Sequence, residues 1–185
     1  MANRYIFQIT LLLCFFTTAF SMSYQLLRSR QRSSNLACQR ILSELNGNLT
    51  ECLQQRINST IPEEIKQPEL LQKDDVLLVI SEMLRQIFGI FSRNSSCTGW
   101  NKSIIEKLFL ELQQQMDYVE TSLEERKKEN VTSYNRTILH LKKYYLKLLK
   151  YLKANGYSNC AWLIVKTEIS RNFVFLNRLI NYLPN

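Results

Sequence analysis

Residues 158–182, SNCAWLIVKTEISRNFVFLNRLINY, set Trp162, Val165, Ile169, Phe173, Leu176 and Ile180 at steps of three or four. That spacing puts them on one stripe of an α-helix, whereas a half-buried strand would repeat every second residue. The segment reads as a helix from about Ser158 to Tyr182 with its stripe in a core. Around the other side lie Lys166, Thr167, Ser170, Arg171, Val174 and Arg178. Taken from residue type alone, these form an exposed surface face.

Working outward, the same period recurs four more times. Asn155-Gly156 closes a helix from about Tyr134 to Ala154, with Ile138, Leu141, Tyr145, Leu148, Leu149 and Leu152 inward. Its Lys142, Lys143, Lys147, Lys150 and Lys153 point mostly outward. Before it, a helix from about Asn101 to Glu124 carries Ile105, Leu108, Leu112, Met116, Val119 and Leu123, and gives way in the charged run 124–129. A helix from about Asp74 to Phe91 carries Leu77, Ile80, Leu84, Ile87 and Phe91, N-capped by acidic residues that suit the helix dipole. The first helix, about Ser23 to Leu45, buries Leu27, Ser34, Cys38, Ile41, Leu42 and Leu45 and stops at Asn46-Gly47. Between it and the second helix, residues 48–73 lose periodicity around Pro62 and Pro68; a connection of that length in a compact domain is functional or structurally required. With only four glycines and three prolines in 185 residues, the composition also favours helices over sheets, and the expected class is all-α.

The first 21 residues stand apart. Arg4 gives a positive start, Ile6 to Phe16 form an apolar run, and Ala19-Phe20-Ser21 offers small residues where a signal peptidase cuts. The run is too short for a membrane span. Residues 1–21 are expected to be a secretory signal peptide, leaving 22–185 as one soluble, exported domain without membrane insertion.

The chain has a formal charge of +8, which favours anionic partners such as proteoglycans or acidic receptor surfaces; nucleic acid is not expected for an exported protein. Asn-x-Ser/Thr sequons occur at Asn48, Asn58, Asn94, Asn101, Asn130 and Asn135, and mark exposed segments where glycans are tolerated. Cys14 leaves with the signal; Cys38, Cys52, Cys97 and Cys160 remain, and their spacing does not choose among three pairings.

Chemistry of the usual enzymatic kinds is absent. His140 is the only histidine, beside the inward Leu141, and reads as a partly exposed structural residue. No phosphate loop, Cys-x-x-Cys pair, nucleophile elbow or calcium-loop pattern occurs, so neither catalysis, a metal nor a cofactor is expected.

Five helices, one long early connection, a signal peptide and sequons describe a helical cytokine. Specific motifs add to this: Met22-Ser23-Tyr24, Cys52-Leu53-Gln54-Gln55-Arg56, Ile61-Pro62-Glu63-Glu64-Ile65, Thr98-Gly99-Trp100-Asn101, Leu141-Lys142-Lys143-Tyr144-Tyr145, and Cys160-Ala161-Trp162 followed by Arg171-Asn172-Phe173. Over nearly its whole length the chain resembles the type I interferons. The resemblance implies a five-helix up-up-down-down cytokine bundle, a four-helix bundle plus one extra helix, with a long first crossover. It implies a Cys52–Cys160 bridge, an unpaired Cys38 and a glycan on Asn101. Cys97 departs from the family pattern and leaves a second bridge, a free thiol or intermolecular pairing open.

The resemblance also implies an antiviral, growth-restraining cytokine that joins the two chains of the type I interferon receptor and thereby starts Janus kinase signalling. Carried across, the high-affinity chain would meet Leu53, Arg56, Lys166, Thr167, Ser170, Arg171 and Val174, and the low-affinity chain Glu82, Arg85, Phe88 and Lys142. A monomer is expected. The competing reading is a secreted basic helical module that binds polyanions such as heparan sulfate through the lysine array; against it, no broad apolar surface accompanies the lysines.

Overall fold

The computed structural model describes residues 24–47, 49–52, 57–93, 99–126 and 136–183. The segment read as a signal peptide lies outside them, as do Asn48, Leu53, Arg56, Asn94, Cys97, Asn130 and Asn135. Helix α1 spans 24–44; then come a 3-10 turn at Leu49–Cys52, the short α2 at Glu63–Lys66, 3-10 turns at Pro68–Leu70 and Lys73–Asp75, α3 at Val76–Phe91, α4 at Lys102–Arg126, α5 at Arg136–Ala154 and α6 at Asn159–Tyr182. The five long helices are those read from the periodicity.

Contacts between the helices fix their directions. Arg28 near the start of α1 donates to the carbonyl of Leu183 past the end of α6, Arg32 Nε to Asn181 Oδ1 at 2.9 Å, and Asn35 Nδ2 to Asn177 Oδ1 at 2.9 Å, so α1 and α6 are antiparallel. Phe91 at the end of α3 stacks on Trp162 at the start of α6 with ring centroids 5.9 Å apart, which makes these two antiparallel as well. Helix α4 starts where α3 ends, at Trp100, and Arg85 reaches Glu120 farther along it at 3.0 Å. Helix α5 returns to α6 through a tight turn. The order is thus up for α1 and α3, down for α4, up for α5 and down for α6.

The stripe of α6 is wholly buried, and Leu27, Ser34, Cys38, Ile41, Leu42 and Leu45 of α1 are buried too. Helix α3 departs from a single stripe. Besides Leu77, Ile80, Leu84, Ile87 and Phe91 it buries Val76, Val79, Met83 and Ile90, because it packs against α4, α5 and α6 together and has little surface left for water.

One local detail differs from the sequence reading. The acidic start of α3 does not cap it: Asp75 has helical backbone angles, φ −83 and ψ −17, and makes no side-chain capping hydrogen bond. A cap needs an extended backbone to swing its oxygen onto the first free N–H groups, and here the Lys73–Asp75 turn runs straight into the helix. The α5–α6 turn uses positive φ at Gly156 and also at Tyr157, and Ser158 Oγ then caps α6 by accepting from Ala161 N at 3.3 Å.

Candidate receptor-binding site

The outer face of α6 follows from its inner one: once the stripe is buried, positions 166, 167, 170, 171 and 174 are carried outward by the helical repeat. Arg171 is exposed and pairs with Glu168 one turn earlier, Nη1 to Oε1 at 2.6 Å. Val174 is 47 % exposed and adds an apolar side chain to this otherwise polar face. Thr167 and Ser170, both half-buried, turn their hydroxyls back to the carbonyls of Leu163 and Lys166, at 2.9 and 3.0 Å. Lys166 is half-buried. Its Nζ donates to the carbonyl of Leu45 at 2.7 Å, and burial pushes its pKa below the usual lysine range.

The crossover is joined to this face covalently. Cys52 and Cys160 form a disulfide with 5.4 Å between their Cα atoms, so the connection is anchored at the first turn of α6. The chain-entropy treatment values closing 108 residue steps at about 4.7 kcal/mol. Farther along, Arg178 Nη1 donates to the carbonyl of Lys66 at 3.4 Å and its guanidinium lies 5.5 Å from the Phe175 ring centroid, which draws α2 onto α6.

The residues expected to meet the low-affinity chain lie on α3 and α5, with α4 packed beside them. Arg85 pairs with Glu120, and Phe88 packs against Phe109 with centroids 5.0 Å apart. Glu82 is buried: Gln86 Nε2 donates to its Oε1 at 2.8 Å, and Lys142 Nζ approaches at 3.9 Å. It braces Lys142 from below rather than offering a surface of its own. Glu120 and Phe109 were missed in the sequence; their separation of three helical turns on α4 is the signal that places them on one face.

Leu36 is a further omission. It is 58 % exposed, one turn after Arg32, which contacts Asn181 of α6, so the antiparallel register sets it on the α1 side that borders α6. His140 is partly exposed, its Nδ1 3.3 Å from Glu64 Oε1 of α2, as a structural histidine would be. Among the described residues no group of histidine, cysteine and carboxylate side chains could hold a metal, and no helix is long and apolar enough to cross a membrane.

A family profile described as "Interferon alpha/beta domain" matches residues 27–183. The chain belongs to the type I interferon family. It is similar over 100 % of both chains to interferon beta of Homo sapiens, at 54 % identity, and of Felis catus, at 52 %. Interferon beta of Mus musculus is 40 % identical, again over both full lengths. Among solved structures, zebrafish interferon 2 superposes with a TM-score of 0.68 at 20 % identity, covering 80 % of this chain and 97 % of the other, which shows the shared fold. This interferon is accordingly a secreted, non-enzymatic cytokine that acts in antiviral defence through the type I interferon receptor.

Proposed function

We propose that this interferon cross-links its receptor through two separate surfaces. Leu53 and Arg56 of the crossover, together with Thr167, Ser170, Arg171 and Val174 of α6 and the half-buried Lys166 beside them, take the high-affinity chain; Arg85, Phe88 and Lys142, the last braced by the buried Glu82, take the low-affinity chain. The observation that carries the first assignment is the Cys52–Cys160 bridge, which joins the crossover to the helix whose outer face shows an exposed Arg171 and Val174. Arginine is the residue best suited to a hot spot there, since its fork donates several charge-assisted hydrogen bonds at once. The active species is a monomer of residues 22–185, freed of the signal peptide, and several of its six sequons, Asn101 foremost, carry glycans.

Arg56→Ala tests this. Binding to the high-affinity chain is expected to weaken about 30-fold to several hundred-fold, the effect of losing a hot-spot arginine, with the melting temperature nearly unchanged. Unaltered binding would remove the crossover from the interface.

A second partner, a polyanion such as heparan sulfate, is supported by α5. That helix contains no acidic residue, and among the described residues Lys143, Lys147, Lys150 and Lys153 are exposed and have no acidic partner. Elution from heparin at lower salt after Lys147→Ala and Lys150→Ala would support the reading, because each released charge reduces salt-dependent binding.

A further inference from the structure

Just past the end of α1 the chain turns away from the helix, and the carbonyls there need partners from outside it. Here two side chains from distant elements take them. Lys166 Nζ of α6 donates to the carbonyl of Leu45 at 2.7 Å, and Trp100 Nε1, just before α4, donates to the carbonyl of Asn46 at 2.9 Å. The next residue, Gly47, has φ +150 and presses its Cα against the Leu163 side chain so closely that a Cβ would overlap it. Three successive residues are therefore each held by a different contact, and five residues on, Cys52 is bonded to Cys160.

We infer that Trp100 and Lys166 are positioning residues of receptor recognition, clasping the carbonyls of Asn46 and Leu45 so that the crossover leaves α1 in one fixed direction and has less freedom to lose when it binds. The inference rests on the crossover being the high-affinity surface. It gives Lys166 a different task from the direct contact first expected, because its ammonium is already spent on the chain's own backbone. Trp100 is suited to the same task. Its ring lies 5.7 Å from Trp162 and 6.4 Å from Phe91, so the indole is oriented by the core while its N–H reaches the crossover. A loop held in its bound geometry avoids the loss of affinity that comes from populating that geometry only part of the time.

The experiment uses the full secreted protein with Trp100→Phe, which keeps an aromatic ring but has no N–H donor, and Lys166→Met, with Lys166→Arg as the conservative control. Amide exchange over residues 45–52 and binding to the soluble ectodomain of the high-affinity receptor chain are read together. Exchange in that segment should speed up in Trp100→Phe and Lys166→Met, and affinity should fall about threefold to tenfold, with Lys166→Arg within about twofold of the parent. If Trp100→Phe lowers the melting temperature sharply, the Lys166 pair carries the test. Unchanged exchange in both variants would overturn the clasp. Faster exchange with undiminished affinity would overturn its role in recognition, as would a loss confined to Lys166→Met, which would return Lys166 to direct contact. Arg56→Ala measured alongside separates the two readings: if it too binds normally, the assigned surface is wrong, and the clasp then stands or falls on exchange alone.

Discussion

The carboxamide oxygen of Asn101 accepts hydrogen bonds from both the backbone N–H and the hydroxyl of Ser103, each at 2.9 Å. Asn101 thereby caps α4, and the two residues that form the cap are also the first and third of a glycosylation sequon. A glycan joins through the amide nitrogen, so the capping oxygen stays available. In unglycosylated protein, Asn101→Ala should cost about 1 kcal/mol in urea unfolding and Asn101→Asp close to nothing, since aspartate is an equally good cap. In protein from mammalian cells, mass spectrometry should find Asn101 modified, and both variants should lose that sugar. Equal stability of the Ala and Asp variants would show that the cap is energetically idle.

Cys38 lies in the core and is the free cysteine of the described residues. Burial, reinforced by the nearby Glu111 carboxylate, pushes its thiol from 9.0 up to about 12. Thiolate is the reactive form, so peptide-resolved alkylation at pH 8 should leave Cys38 unmodified until the protein is unfolded. Folding favours the protonated thiol. Its contribution is complete below pH 9.0 and is lost as pH rises toward about 12. The stability gap between the parent and Cys38→Ala should therefore narrow above pH 9; a gap independent of pH would mean that the thiol ionises equally well in both states.

Gly47→Ala should destabilise the fold by about 2 kcal/mol, from an unfavourable backbone angle and overlap with Leu163. Shortening the obstructing side chain ought to relieve part of this. In a double-mutant cycle with Leu163→Ala, the two costs should fall short of additivity by about 1 kcal/mol. Strict additivity would assign the whole effect to backbone conformation.

Asn172 is buried and serves two tyrosines: Tyr144 Oη donates to its Oδ1 at 3.2 Å, and its Nδ2 donates to Tyr145 Oη at 3.1 Å. Burial also drives both phenols to higher pKa, so they remain neutral. Asn172→Leu strands two hydroxyls in the core and should cost about 2 to 4 kcal/mol in denaturant unfolding. Adding Tyr144→Phe and Tyr145→Phe removes the stranded groups and should recover much of that loss. No recovery would point to packing, not hydrogen bonding, as the source.

The amino-acid sequence by itself determined the helices and their inward stripes. Trp162 to Ile180, Leu77 to Phe91 and Leu27 to Leu45 are buried as their spacing requires, because periodicity is a property of neighbouring residues and survives in any compact arrangement that hides one face. Resemblance to a family then chose the Cys52–Cys160 pairing from the alternatives that spacing left open. Tertiary structure alone decided how the outward positions are used. It buried Glu82, which helical spacing would leave on a surface, because α3 is enclosed by three helices. It committed Lys166 to Leu45 across 121 residues and Trp100 to Asn46 across 54. No local pattern contains such partners: a long side chain on an outer face is compatible with water, a receptor or a distant carbonyl, and only the packed bundle brings one of them within hydrogen-bonding distance.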